Sequence, residues 1–368
     1  MSPLKGRTAF FVPTLRYGGA ERVVVNLVQG LAERGVPVDV VLRKAQGAFL
    51  GDLPSSVRVI DFGAERLLAT LGPLTRYLRQ EQPRVLISHM SHANLIALWS
   101  ARLAGGRTPV VVTVHSTMSR YATQQGRFSR ILWAYLLRTF YPSASSIVAV
   151  SGGVADDFAR TAGFPRNRVE VVYNPVITPA VLAAARQRPD HPWLAPGEPP
   201  VILGVGRLTA PKDFPTLIRA FAEVRRLRPV RLIILGEGPD RPQLEALIGE
   251  LGVGNDVALP GFRENALAYM AHSAVFVLSS AWEGLPTVLI EALAAGTRVV
   301  STDCPSGPRE ILQGGHLGPL TPVGDAPALA RAIADVLDRP FDAVPRDALT
   351  PFTRDAAVDH YLQIIEQA

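Results

Sequence analysis

The sequence predicts an α/β protein of two Rossmann-like domains facing each other across a cleft, with a C-terminal helix crossing back to the first domain. Three observations carry this reading. The chain has 368 residues, enough for two domains at roughly 100–200 residues each. Short β-branched runs alternate with helical patterns along nearly its whole length, the pattern of parallel sheets with crossover helices. A proline-dense stretch interrupts that alternation near the middle.

In the first half the strand candidates are Thr8–Val12, Val38–Leu42, Val57–Ile60, Val85–Ser88, Val110–Val114, Ser146–Val150 and Val169–Val172. Between the first two, a helical pattern starting near Ala20 carries Val24, Leu27, Val28 and Leu31 on one apolar stripe. From Thr178 to Pro200 the chain holds Pro179, Pro189, Pro192, Pro196, Pro199 and Pro200, a density that suits a linker. The alternation then restarts with strands Val201–Val205, Arg231–Leu235, Asp256–Leu259, Ala274–Leu278 and Arg298–Ser301, and helices Lys212–Arg228, Pro239–Leu251 and Leu285–Ala295. The domains expected are therefore 1–180, a linker at 181–200, 201–350, and an amphipathic closing helix within 351–368, patterned over Arg354–Ile365.

Composition narrows the class. Hydrophobic residues make up 48% and charged residues 19%, the balance of a globular chain with a sizeable core. Cys304 is the single cysteine, so no intramolecular disulfide forms, in keeping with a reducing compartment. Met1 to Phe11 reads as a lead into the first strand rather than a signal peptide. No run nears about 18 uninterrupted apolar residues, so no membrane span and a cytoplasmic location are expected. Residues 1–180 carry 21 Lys and Arg against 10 Asp and Glu, whereas the remainder carries 17 against 22. A basic half beside an acidic half points to an anionic partner for the first. An aromatic content of 7% with no stacking series excludes the common nucleic-acid modules.

Three motifs carry chemistry. Arg16-Tyr17-Gly18-Gly19-Ala20-Glu21-Arg22 follows the first strand and opens a helix. Its glycine pair lets a ligand approach the backbone, and the helix N-terminus offers N–H groups to a phosphate. It lacks the third glycine of the dinucleotide fingerprint, which argues against a dehydrogenase. The second motif, Gly204-Val205-Gly206-Arg207-Leu208 with Lys212-Asp213-Phe214, places two cations at a strand–helix junction. Arg grips phosphate oxygens bidentately and Lys supplies a point charge, together enough to neutralise a departing diphosphate. The third, Glu283-Gly284-Leu285-Pro286-Thr287-Val288-Leu289-Ile290-Glu291, sets two glutamates with seven residues between them. Pro286 suits the first helical turn, so Glu283 falls in the preceding loop and Glu291 inside the helix.

Together these elements resemble glycosyltransferase family four, whose members adopt the two-domain GT-B fold. The resemblance covers nearly the whole chain, through Gly18 to Arg22, Gly206-Arg207-Leu208 with Lys212-Asp213, Leu235-Gly236-Glu237-Gly238-Pro239, Gly261-Phe262, Glu283 to Glu291, and Asp303-Cys304-Pro305-Ser306-Gly307-Pro308-Arg309-Glu310. It implies that Arg207 and Lys212, with Gly206, bind the donor diphosphate. It further implies that Glu291 holds the ribose hydroxyls and that Glu283 contacts the transferred sugar, helped by the backbone of Gly284 and Leu285. Gly261 and Phe262 would line the base, and Gly18 and Gly19 would face the diphosphate. Pro286 has no N–H to give, but those of Gly284, Leu285 and Thr287 around it open the helix toward phosphate or sugar oxygens. His115, after strand Val110–Val114, matches the family's active-site histidine near the transferred sugar.

The activity so implied is retaining transfer of a hexose or N-acetylhexosamine from a nucleoside-diphosphate sugar, by default a UDP-sugar, to a glycan or polyprenyl-linked acceptor. The expected setting is bacterial surface polysaccharide or glycoconjugate synthesis. No cofactor is expected and no metal, because no Asp-x-Asp pair sits in a metal-binding context; Asp156-Asp157 reads as the acidic start of a helix. Relatives often carry Gly-Gly and then Pro-Glu after the strand ending near Ser301; Cys304 to Glu310 departs from this, resembling a variant common among surface-glycan enzymes. The segment Met118–Tyr141 interleaves Arg120, Arg127, Arg130 and Arg138 with Tyr121, Phe128, Ile131, Leu132, Trp133, Leu136, Leu137 and Phe140, which suits contact with an anionic membrane. The alternatives are a sugar-nucleotide epimerase of the same architecture and a non-catalytic paralogue that binds nucleotide sugar.

Overall fold

The computed structural model describes residues 6–16, 18–119, 127–340 and 343–368. The chain forms two compact units, Met1–Pro175 with Pro351–Ala368, and Val176–Thr350.

The first unit is built on a seven-stranded sheet, β1 (Thr8–Val12), β2 (Val38–Leu42), β3 (Arg58–Asp61), β4 (Val85–His89), β5 (Val110–Val114), β6 (Ser146–Ala149) and β7 (Val169–Val171). The spatial order is β3-β2-β1-β4-β5-β6-β7, and every pairing is parallel. Strands β1, β2, β4 and β5 are buried along their whole length. This is why they read as near-continuous apolar runs: helices cover both faces of a parallel sheet.

The closing helix Arg354–Gln367 belongs to this unit. Its Ala357, Val358, Tyr361, Leu362, Ile364 and Ile365 join the core that the helix Gly19–Glu33 also lines. The two helices meet at Gly30, where a side chain's Cβ would stand 2.5 Å from a Val358 methyl. Arg34 pairs with Asp359 at 2.6 Å and Arg354 with Glu33 at 2.5 Å along the seam, and the Tyr361 hydroxyl lies 3.2 Å from Thr113 Oγ1 of β5.

The second unit holds a six-stranded parallel sheet of β8 (Val201–Val205), β9 (Arg231–Leu235), β10 (Val257–Gly261), β11 (Val275–Leu278), β12 (Val299–Thr302) and β13 (Leu320–Thr321), ordered β10-β9-β8-β11-β12-β13. Sequence pattern misses β13, since two residues are too few to show a period. Helices Phe214–Leu227 and Ala326–Asp338 pack together on one face.

Two expectations need correction. The proline-rich stretch is not a free linker, because the unit boundary falls at Pro175–Val176 and the residues after it pack on the second unit. Residues Pro179–Ala184 form a helix, Asn265 donates to the Ala184 carbonyl at 3.1 Å, Tyr269 donates to Asp190, and Arg231 lies over the Trp193 ring. Asp156 and Asp157 do not open their helix either. It starts at Gly152, capped by Ser151, whose hydroxyl accepts from Val154 N–H. Asp156 pairs with Arg166, and Asp157 is buried and accepts from Ser119 N–H at 3.0 Å.

Asp39 on β2 is fully buried and accepts hydrogen bonds from Arg7, Arg58 and the Tyr77 hydroxyl. Burial alone would raise its pKa, but bonds from Arg58, Tyr77 and Arg7 outweigh that and hold it below the usual carboxylate range. Asp39→Ala strands the buried Tyr77 hydroxyl and should cost about 1–3 kcal/mol in urea unfolding. Arg58→Ala should cost less, because Arg58 is half exposed and Asp39 keeps its other donors. Equal losses for the two variants would contradict this account.

Candidate active site

In each sheet one pair of neighbouring strands is non-consecutive at the point where the chain reverses its direction of winding. Open α/β sheets bind ligands at that place, beyond the carboxyl ends of the strands. In the second unit it lies between β8 and β11.

Lys212 follows β8 and Glu283 follows β11, and their side chains meet. Lys212 Nζ lies 2.6 Å from Glu283 Oε1, with the two side chains 21% and 13% exposed. The Ser280 hydroxyl donates to the same oxygen at 2.7 Å. The two loops are stitched at backbone level as well. Ala281 N–H donates to the Pro211 carbonyl at 2.8 Å, and the Ser279 hydroxyl donates to the Lys212 carbonyl at 2.8 Å. Gly206 lies under the lysine stem, so that a Cβ there would sit 3.2 Å from Lys212 Cε. Gly236, after β9, takes φ 136° and comes so near that its Cβ would fall 2.0 Å from the Gly206 carbonyl oxygen; only glycine fits both demands.

The loop after β12, left without a role by sequence, braces Glu283. Glu283 N–H donates to the Pro305 carbonyl at 2.8 Å, Ser306 N–H donates back to the Glu283 carbonyl at 3.0 Å, and the Ser306 hydroxyl donates to the Gly284 carbonyl at 2.9 Å. Pro286 is the N-cap, not a residue of the first turn, and the helix runs Thr287–Ala294. Leu285 and Pro286 are buried, while Glu291, the fifth helical residue, is half-buried about 6 Å along the axis from Thr287. Arg207 is exposed at the head of the β8 loop.

Gly261 ends β10, and Phe262 beyond it is 57% exposed. Phe262 stands at a cavity of about 380 Å³ whose wall includes Arg188, Asp190, Arg263 and Tyr269. Two of those residues come from the stretch expected to be linker.

In the first unit the corresponding strands are β1 and β4. Gly18 caps the helix that follows β1, and the Glu21 carboxylate folds back over it, 2.0 Å from where a Cβ would be. Gly19 has open space around it, so packing alone does not require glycine there. Tyr17 lies outside the described residues. His89, the last residue of β4, is fully buried and stacks on Phe10 of β1, with ring centroids 5.9 Å apart. Its Nδ1 lies 2.9 Å from Nε2 of His115, which follows β5. Sequence reasoning missed His89; the available signal was a histidine closing the apolar run Val85-Leu86-Ile87-Ser88-His89 at a strand's carboxyl end.

Among the described residues, no group of three or more His, Cys, Asp or Glu side chains is placed to hold a metal ion. No described helix is long and apolar enough to cross a membrane.

Residues 17–178 match the sequence family described as Glycosyltransferase Family 4, and residues 186–349 the one described as Glycosyl transferases group 1. The chain belongs to glycosyltransferase family four. This family-four glycosyltransferase is 31% identical over 362 residues to the lipopolysaccharide core biosynthesis glycosyltransferase LpsE of Rhizobium meliloti, an alignment that covers 95% of this chain and 96% of LpsE. It is 29% identical over 349 residues, 90% of each chain, to an N-acetylgalactosaminyltransferase of Campylobacter jejuni that acts on a diphospho-undecaprenol-linked sugar. Among solved structures it resembles HepE of Anabaena in complex with UDP and glucose (TM-score 0.78, 22% identity, covering 99% and 100% of the two chains). A glycosyltransferase of Rickettsia africae gives a TM-score of 0.77 at 16% identity, over 99% and 98%. These likenesses show the GT-B fold. Membership of the family sets aside the epimerase alternative.

Burial, and secondarily the neighbouring His115, keep His89 well below the usual imidazole range, and burial pushes His115 down to about 4. Unfolded, both rings protonate near pH 6.5, so unfolding takes up protons below that pH. Stability should therefore fall as pH drops from about 6.5 toward 4, by up to about 1.4 kcal/mol per pH unit for each ring. Urea unfolding between about pH 8 and 5 should show the decline beginning near the unfolded pKa, with a shallower slope in His89→Phe. An unchanged slope in that variant would show that His89 is not held neutral by the fold.

Proposed function

We propose that this glycosyltransferase moves a hexose or N-acetylhexosamine from a nucleoside-diphosphate sugar, by preference a UDP-sugar, onto a glycan or polyprenyl-linked acceptor in bacterial surface polysaccharide or glycoconjugate synthesis. It does so with retention at the anomeric carbon and without a metal. The observation that carries the proposal is the Lys212–Glu283 pair at the β8–β11 switch point, with Arg207 exposed on the same β8 loop as Lys212.

An ammonium has three donors. One is spent on Glu283, and two are left for phosphate oxygens. Arg207, on the same loop and exposed, adds a planar fork that matches a phosphate edge. As the bond from the anomeric carbon to phosphate breaks, negative charge grows on the diphosphate, and fixed cations stabilise it more than they stabilise the ground state. The sugar passes through an oxocarbenium-like state. In retaining, same-face attack, the acceptor oxygen bonds that carbon from the side the phosphate leaves, and its proton passes to the departing phosphate oxygen. Glu283, fixed by Ser280 and Ser306, is assigned the transferred sugar, Glu291 the ribose, and Phe262 with its neighbouring cavity the base. Gly18 and Gly19 are assigned the diphosphate and His115 the sugar, on the match to the family.

The names of the relatives favour lipid-linked or lipopolysaccharide acceptors. The helix Arg127–Phe140 adds to this: Trp133 and Leu137 face the core, whereas Ile131, Leu132 and Tyr135 are 61%, 46% and 63% exposed. Arg120 and Tyr121, and the side chains of Arg127, Phe128 and Arg130, lie outside the described residues. An apolar outer face of this kind suits the headgroup region of an anionic membrane. Liposome flotation at low and high salt tests it, and no association with anionic vesicles at low salt would remove the membrane from the proposal.

The donor reading is tested by thermal shift and by nucleoside-diphosphate release across a panel of nucleotide sugars, with and without chelator. A UDP-sugar should stabilise the chain and be slowly hydrolysed, unaffected by chelator. Arg207→Ala and Lys212→Ala should each lower kcat by about 10²–10³-fold, and the exposed Arg207→Ala should do so with the melting temperature nearly unchanged. Normal turnover in Arg207→Ala sinks the assignment of the cations, and binding without turnover by the unaltered chain favours the non-catalytic paralogue.

A further inference from the structure

We propose that His89 is a positioning residue: its Nδ1–H donates to Nε2 of His115 and holds that ring in the tautomer protonated on Nδ1. The proposal rests on the reading above in which His115 faces the transferred sugar.

The distance between His89 Nδ1 and His115 Nε2 is 2.9 Å, so one of the two nitrogens carries the shared proton. Both rings are neutral in the fold, because burial disfavours their charged forms. Two arrangements remain. If His115 donated from Nε2, His89 would accept at Nδ1 and a neutral His89 would carry its own proton on Nε2. That Nε2 is buried and has no hydrogen-bond partner among the described residues. The arrangement would thus leave an N–H group orphaned in the core, which folded proteins tolerate less well than an under-used acceptor. In the opposite arrangement His89 carries its proton on Nδ1, inside the bond, and its Nε2 is a bare lone pair. His115 then accepts at Nε2 and must hold its one proton on Nδ1.

His89 is well placed for this task. It is the last residue of β4, fully buried, nearly parallel to Phe10 at 17°, and its backbone is in register with Thr113 two residues before His115. The ring cannot tilt out of this plane without disturbing the stack. A second-layer group that fixes a histidine's tautomer decides whether the working nitrogen offers a proton or a lone pair. Here it makes Nδ1 of His115 a neutral donor for a sugar oxygen. A neutral ring also places no positive charge beside an anomeric carbon that is itself becoming cationic.

The test begins on the unaltered chain. Two-bond proton–nitrogen couplings on ¹⁵N-histidine-labelled protein read each ring's tautomer near neutral pH. Both His89 and His115 are expected to carry the proton on Nδ1, and a His115 protonated on Nε2 overturns the proposal. Two variants follow. His89→Phe keeps the stack and removes the donor. His89→Asn carries an amide donor one bond from Cγ, where Nδ1 stands. With UDP-glucose, or whichever nucleotide sugar of the panel is turned over, His89→Phe should lower kcat by about 10–100-fold with KM little changed, and His89→Asn should recover most of the loss. The His115 tautomer should become mixed in the first variant and single in the second. Wild-type turnover in His89→Phe, or losses in both variants that track only their melting temperatures, refutes the positioning role. Wild-type turnover in His115→Ala with the expected tautomer in the unaltered chain instead refutes the sugar-facing role of His115, so the two failures are distinguishable.

Discussion

Every strand pair in both sheets runs parallel, and the rest of the structure follows from that constraint. Parallel neighbours require a crossover after each strand, so the loops at the carboxyl ends open toward one edge of the sheet and the helices fill its faces. Where the winding reverses, two such loops diverge and leave a gap that nothing in the sheet itself fills. Lys212 and Glu283 stand there in one unit, and Gly18 and His89 in the other. The candidate chemistry is thus placed by topology before any side chain is considered.

Topology alone does not fix a carboxylate to a fraction of an ångström. The loop after β11 is held by the loop after β8 through Ala281 and Ser279, and by the loop after β12 through Glu283 and Ser306. An exposed lysine–glutamate pair contributes about 0–1 kcal/mol and wanders. The pair here is mostly withdrawn from water and has a hydroxyl donating to the same oxygen, so its geometry is set by its surroundings rather than by its own attraction. Sites held this way lose little to reorganisation when charge develops, which is where fixed dipoles and charges are most effective.

How much of this was legible in the sequence depends on the range of the signal. Strands such as Thr8–Val12 and Val201–Val205 are visible residue for residue because burial on both faces leaves an unbroken apolar run. The candidate site motifs are visible because Arg207, Lys212 and Glu283 place charge in the loops that leave the carboxyl ends of strands. The stretch after Thr178 misleads, since proline density reports local stiffness and says nothing about packing; only tertiary contacts from Asn265 and Tyr269 show that it lies against the second unit. Asp157 misleads for a related reason: its partner, Ser119 N–H, is 38 residues away. His89 is the sharpest case. As a sequence position it is one polar residue ending an apolar strand, and its significance appears only when β5 brings His115 beside it.

The charge pattern within each unit gives a last step of synthesis. In the second unit the groups assigned to the departing diphosphate are the cationic side chains Arg207 and Lys212, on one strand–helix junction. In the first unit burial keeps the imidazoles of His89 and His115 uncharged, and the neighbouring His115 adds to the effect on His89. A glycosyl transfer separates charge in the same sense: negative on the phosphate, positive on the anomeric carbon. Cations help the first and would oppose the second, so a neutral donor is the better neighbour for the sugar. Arginine, whose charge persists over the whole working range, suits the phosphate role. Histidine suits the other only when its surroundings deny it a proton, and in this fold the burial of His115 does so.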